Sequence, residues 1–277
     1  MKIRSSREEK QSIGSKARRS QSNLDVTLRQ RLSLHLGVLR NAQILPVYLP
    51  DWSLRVYVPA DSSPPELAVP PRIINKLRLL GASSARVSTG NIMKPRNWRL
   101  LIANEPNVDY FLVRNADTRL SEREARAVRE WLLVSGRNRS QSAAIVHCIR
   151  DHPKHAKHAI VDGLWGGRPR ALYQLLRQNI TQMVMMHSVS FNVSSSVKSA
   201  NQDVMQTILN RVLWVAVHKY SFCHDSVSPC DRWSRSTSRR SFFLSRQGHE
   251  YVGRKFDAHQ DLISEDGKLL KADVTCL

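Results

Sequence analysis

A chain of 277 residues with 41% apolar content can bury one large α/β core, which excludes a disordered protein. Its net charge of +20 favours anionic partners, and ten Lys/Arg stand against three Asp/Glu in the first forty residues. No run approaches the roughly 20 apolar residues that span a bilayer, and the start lacks the apolar core of a signal peptide, so a cytoplasmic location without a membrane span is the default expectation.

Residues 1–23 are rich in Ser, Gln, Lys and Arg without apolar periodicity, which predicts a disordered basic arm before a single domain over 24–260 and a tail over 261–277. Leu24 to Leu36 is where a first strand is expected, but its alternation is interrupted by Arg29 and Arg31. Leu54 to Val58 reads as a strand, Arg72 to Leu80 as a helix stopped by Gly81, Ala85 to Ser88 as a short strand and Pro95 to Asn104 as a helix. Tyr110 to Val113 is an apolar strand. Ser121 and Glu124 then form a capping-box pattern ahead of a helix carrying Ala127, Val128, Trp131 and Leu132. The near-continuous apolar run Ala143 to Ile149 predicts a strand buried on both faces. Ala171 to His187 and Gln202 to Val217 read as helices joined by a mobile Ser-rich stretch, 188–200. Strands alternating with helices define an α/β chain with a mainly parallel central sheet flanked by helices.

The four cysteines, Cys148, Cys223, Cys230 and Cys276, lack paired zinc-like spacing and read as free thiols. Sequons at Asn138, Asn179 and Asn192 read as chance matches. His152, His155 and His158 are spaced by three, but Pro153 breaks a helix there and Lys154 and Lys157 repel a cation, so a solvated loop is favoured over a zinc site.

Ligands of open α/β sheets bind beyond the carboxyl ends of the strands. That rule draws attention to the polar turn after the Tyr110 strand, with Arg114, Asn115, Asp117 and Arg119, and to Arg150-Asp-His-Pro153 after the next buried strand. The run Arg114 to Trp131, then Arg150 to Pro153, then Gly163-Leu-Trp-Gly166, resembles glycosyltransferase-like proteins of the nucleotide-sugar (GT-A type) fold. Gly37 to Ala42, Pro50-Asp-Trp52, Asn97-Trp-Arg99, Asn201-Gln202, His224-Asp-Ser226 and Tyr251-Val-Gly253 agree in order, so the resemblance spans residues 30 to 257.

The resemblance implies transfer of a sugar from a nucleotide-sugar donor to a glycan, protein or small-molecule acceptor, with Mn²⁺ or Mg²⁺ on the diphosphate. Asn115-Ala-Asp117 then stands in the place of an Asp-x-Asp pair, with Asn115 where an aspartate is expected; Arg114 and Arg119 assist at the diphosphate, and His224 joins Asp117 and Asn115 at the metal. Asp151 becomes the candidate catalytic base, and His152, Gly163, Trp165 and Gly166 the acceptor or sugar subsite. Each has a plainer reading: Asp151 as a turn cap, Trp165 as a core residue and His224-Asp225 as a surface pair. Two other functions stand beside transfer. An inactive relative could serve as a scaffold, since Asn115 removes a charge from the metal site. The basic cluster Arg232, Arg235, Arg239, Arg240, Arg246, Arg254 and Lys255, with Phe242 and Phe243, could bind nucleic acid.

Overall fold

The computed structural model describes residues 29, 31–60, 68–88, 95–137, 144–194, 204–226, 238–247 and 250–256. The basic arm, residues 24–28 and the 261–277 tail lie outside the described residues. The first described element is a helix, α1, over residues 31–48, with Arg29 also helical, and no strand occupies the described part of the Leu24 to Leu36 stretch. Val38, Ala42, Leu45 and Leu49 recur at helical spacing and reach the core, which is why this stretch is helical.

β1 (Arg55–Pro59) pairs in parallel with β2 (Ser83–Val87). Between them α2 (Pro71–Leu79) opens with Pro71 in its first turn and is followed by Gly81 at φ 79°, a left-handed stop that glycine adopts without steric cost. Pro95–Asn104 forms a 3-10 helix rather than an α-helix. A second sheet holds β3 (Phe111–Arg114), β4 (Val146–Arg150), β5 (Leu164–Gly167), β6 (Ser221–Asp225) and β7 (Ser238–Arg240) in the order β3-β5-β4-β6-β7. β4, β6 and β7 are mutually parallel, whereas β5 runs antiparallel to both β3 and β4. The sheet is therefore mixed rather than mainly parallel. The insertion of β5 makes it so, and Gly166 permits it: a side chain there would strike the backbone oxygen of Phe111 on β3.

Helices cover both faces. Phe111, Val113, Cys148 and Trp165 point toward α4 (Pro169–Leu176), α5 (Ile180–Ser194) and the 3-10 segment. Leu112, Tyr110 and Phe222 point the other way, toward Leu49 and the Ala125, Val128 and Trp131 face of α3 (Glu122–Arg137). The two-residue period of a strand sorts these side chains to opposite faces, and the buried strand β4 reads apolar because both faces are covered. At the start of α3, Ser121 Oγ accepts the Glu124 amide at 3.3 Å.

The expected single helix from Ala171 to His187 is two. Arg177 takes a left-handed φ of 55° and ends α4, and the Asn179 side chain caps α5 by accepting the Gln182 amide at 2.8 Å. The sequon at Asn179 is thus a helix cap. α5 continues through Ser194, so the first part of the expected Ser-rich linker is helical, while 195–200 lie outside the described residues. Val204–Ile208 (α6) passes through a π-turn, Leu209–Leu213, into α7 (Trp214–Val217).

Candidate functional site

The carboxyl ends of β3, β4 and β6 share one edge of the sheet, and the antiparallel β5 brings its beginning, Gly163 and Leu164, to that edge. The turn after β3, the Arg150-Asp151 end of β4 and the Asp225-Ser226 end of β6 are therefore neighbours. Arg114 lies opposite Leu164, and Arg150 opposite Asp225.

Asn115 is held from three directions. Its backbone oxygen accepts the Thr118 hydroxyl at 2.8 Å and the Thr118 amide at 3.2 Å, closing the turn. Its Oδ1 accepts a short hydrogen bond from Arg99, whose other terminal nitrogen is 2.6 Å from Asp162. Gly163, at φ 85°, lies so close that a methyl group there would sit 2.6 to 2.8 Å from the Asn115 amide atoms. Asp117 faces the Lys255 ammonium at 3.4 Å, and its backbone oxygen accepts the Phe256 amide at 2.9 Å. Arg114 is 2.7 Å from the buried Glu124, in ion contact without hydrogen-bond geometry. Burial pushes the Glu124 carboxyl up to about 7 against that attraction.

Arg119 lies over the Phe256 ring, 4.8 Å from its centroid, and donates to the Thr118 oxygen at 3.2 Å. Its Nη2 is buried without a hydrogen-bond partner among the described residues. Burial, then the neighbouring Arg40, lower its pKa, and only Asp117 opposes them.

Asp151 is fully buried and serves as the hub of the β4–β6 end. Arg123 donates to both of its oxygens at 2.9 Å, and Arg246 donates to Oδ1 at 3.0 and 3.1 Å. The Ser226 hydroxyl donates at 2.5 Å and the Val252 amide at 2.9 Å. Burial alone would raise its pKa, but the Arg123 pair and these hydrogen bonds bring it below its ordinary value. A base must offer an accessible lone pair to an acceptor hydroxyl. Asp151 spends both oxygens on internal donors, so the expected catalytic role gives way to that of a buried anchor.

Three other expectations are also revised by placement. Trp165 is 1% exposed, packs edge-on against Phe111 at 5.2 Å and belongs to the core rather than forming a floor for a sugar ring. His152 is buried, accepts the Lys154 amide at 3.1 Å and lies 4.3 Å from the Tyr251 ring, so it shapes the turn after β4. His224 is fully buried between His147 and Glu130: its Nε2 lies 3.0 Å from a Glu130 oxygen and its Nδ1 lies 2.9 Å from His147 Nε2. A carboxylate can only accept, so the network makes His224 Nε2 the protonated nitrogen and Nδ1 the acceptor of the His147 proton. Burial lowers the pKa of both histidines, His147 well below its ordinary value.

The donor set expected for Mn²⁺ or Mg²⁺ does not fit the ion. Asn115 is engaged by Arg99, Asp117 faces Lys255 and both ring nitrogens of His224 are used on another part of the sheet. Among the described residues no group of three or more His, Cys, Asp or Glu is placed to hold a metal. Part of the basic cluster is likewise committed inward, Arg246 to Asp151 and Arg239 to Asp225 at 3.2 Å, whereas Arg240 stays exposed with Glu130 at 3.8 Å. Arg232 and Arg235 lie outside the described residues.

Local sequence did not reveal Arg123, Arg246, Arg99, Asp162 or Glu130 as partners of the candidate residues. Arg123 and Arg246 lie 28 and 95 positions from Asp151, beyond any periodic pattern. Comparison with protein-family models, curated proteins and solved structures yields no match. No described helix is long and apolar enough to cross a membrane.

Proposed function

We propose that this chain is a glycosyltransferase-like protein of the nucleotide-sugar (GT-A type) class that holds the diphosphate of a sugar nucleotide with guanidinium and ammonium groups instead of a divalent cation. The observation that carries the reading is Arg119, whose buried Nη2 lacks a partner among the described residues at the carboxyl edge where α/β proteins bind ligands. Arg40 adds positive charge beside it, the Lys255 ammonium faces the neighbouring Asp117 at 3.4 Å, and a diphosphate oxygen would give the Arg119 guanidinium the charge-assisted hydrogen bond it lacks. The same charges would stabilise a diphosphate leaving group as its bond to the anomeric carbon breaks and the acceptor hydroxyl bonds to that carbon, the hydroxyl proton passing to the departing phosphate oxygen.

Calorimetry with uridine and guanosine diphosphates and their sugar conjugates tests this, in EDTA and in Mn²⁺. Binding that persists in EDTA and weakens at least tenfold in Arg119→Gln is the expected result. Binding that requires Mn²⁺, or that ignores Arg119, would overturn the proposal. RNA binding with a steep salt dependence and no response to Arg119→Gln would favour the basic nucleic-acid reading instead.

A further inference from the structure

β4 and β6 are neighbouring parallel strands whose registered pairs include Cys148 with Cys223 and, two residues on, Arg150 with Asp225. Side chains two apart along a strand share a face, so the two thiols and the ion pair stand on adjacent rungs of one ladder. Both cysteines are fully buried in the core on that face, both are free thiols, and the two are hydrogen-bonded to one another. Paired strands lie about 4.8 Å apart, within the roughly 4.4 to 6.8 Å between Cα atoms that a disulfide spans.

The charge beside them is unbalanced. Asp225 is held by two guanidinium groups, Arg150 at 2.6 Å and Arg239 at 3.2 Å, so one carboxylate faces two cations. Arg150 is fully buried; its Nε donates to Asp225 and its Nη1 to the Ala159 oxygen, whereas Nη2 is buried without a hydrogen-bond partner among the described residues. A buried cationic nitrogen with no acceptor is unfavourable, and the Cys223 sulfur is a neighbour on the same face able to become an anion. The hydrogen bond from Cys148 lowers the Cys223 pKa, with burial opposing it and the Arg150 charge assisting; the same hydrogen bond, then burial, push Cys148 well above its ordinary range. Cys223 is therefore the sulfur that gives up its proton first, and Cys148 the one that keeps it.

We propose that Cys148 and Cys223 form a redox-active dithiol, which hydrogen peroxide oxidises to a disulfide joining β4 to β6. The Cys223 thiolate attacks one peroxide oxygen, the O–O bond breaks, and the departing hydroxide takes the Cys148 proton and leaves as water. The Cys148 thiolate then attacks the sulfenic sulfur of Cys223, the S–S bond forms and a second hydroxide departs, which takes up the proton that Cys223 had released. Two thiols lose two electrons, and one peroxide becomes two waters. Burial selects the oxidant, because a molecule little larger than water can reach the sulfurs through a local opening that would not admit a bulky disulfide. The three residues of β7 are all that pair with the far edge of β6 among the described residues, so that edge is where opening is easiest. The link would lie one rung below the Arg150–Asp225 pair and would tie together the strand ends that carry Asp151 and Ser226. It concerns this pair alone and stands whether or not the sugar-nucleotide reading does.

Peptide mapping of the full chain tests it. The protein is reduced, freed of reductant, treated with hydrogen peroxide in native buffer, alkylated and digested without reduction. The expected product is a peptide pair linked through Cys148 and Cys223 within one chain, formed at the same rate on tenfold dilution and reversed by dithiothreitol. The same treatment in urea should scatter the links among all four cysteines, which shows that the native pairing comes from the fold. Native protein whose Cys148 and Cys223 stay alkylatable, or link only to Cys230 or Cys276, would overturn the proposal. Intact mass of single variants tests the order of attack: Cys148→Ser should gain one oxygen at Cys223, while Cys223→Ser should leave Cys148 to react at least tenfold more slowly. Equal reaction of the two variants, both with native circular dichroism, would overturn the assignment of Cys223 as the attacking sulfur.

Discussion

Replacing Asp151 with asparagine should cost stability before it costs chemistry. The carboxylate sits at 0% exposure between the guanidinium groups of Arg123 and Arg246, which are themselves nearly buried. Removing one member of a buried ion pair leaves the other charge unpaired, typically about 3 to 5 kcal/mol, and here two arginines lose their partner and an amide nitrogen would face their donors. A domain holds only about 5 to 15 kcal/mol in total, so Asp151→Asn should forfeit a large share of it. In urea, with a slope of about 2 kcal/mol/M, the midpoint should fall by about 1.5 to 2.5 M in tryptophan fluorescence. The pH dependence has a definite sign. A carboxyl whose folded pKa lies below its unfolded value contributes stability above about pH 4 that is lost on acidification, so the variant should flatten the acid limb of the wild-type profile. A midpoint shift worth less than about 1 kcal/mol would refute this reasoning.

Glu124 should act in the opposite direction. With its carboxyl pushed up to about 7 by burial, the folded state holds its proton more tightly than the unfolded chain, so stability falls as pH rises from about 4.5 through 7, by about 3 kcal/mol from this group. Glu124→Gln should remove that slope in urea midpoints taken between pH 5 and 8, and an unchanged slope would exclude Glu124 as its source. Gly163→Ala combines a left-handed backbone, about 1 to 2 kcal/mol for a non-glycine residue, with a clash against Asn115, whereas Gly81→Ala has the same sign of φ and nothing within 4 Å. Thermal melts should show Gly163→Ala the more damaging of the two; equal losses would mean that Asn115 moves aside freely. Trp165→Ala should cost about 3 to 5 kcal/mol as a core truncation, and Trp165→Phe far less, because the indole nitrogen has no hydrogen-bond partner among the described residues to lose. Urea midpoints of the two variants check this, and equal losses would mean that the indole does more than fill the core.

The elements that could be read along the chain are those whose cause is local. The Ser121 cap of α3 acts over three residues, the stop at Gly81 within one, and the apolar run ending at Ile149 shows in any strand buried on both faces. The break at Arg177 was harder to see because neither glycine nor proline marks it, and Asn179 was the one visible sign. The carboxyl-edge location of Asn115 and Asp117 was also legible, since the polar turn directly follows an apolar strand.

Which groups those residues meet was not legible, because the pairing is made across the sheet. β5 enters between β3 and β4 in reverse, and no period in its four residues announces that. Asp151 gathers donors from positions 28, 75, 95 and 101 residues away, and His224 is drawn 94 residues toward Glu130 rather than to Asp117. Local sequence thus marked β1, β3, β4, α2 and α3, whose backbone preference and apolar spacing are local, but not α1, the break at Arg177 or strands β5 to β7. Only the tertiary structure decided which charges are buried against which partners, because a carboxylate's role depends on the dielectric and the donors around it, and both are supplied by distant parts of the chain.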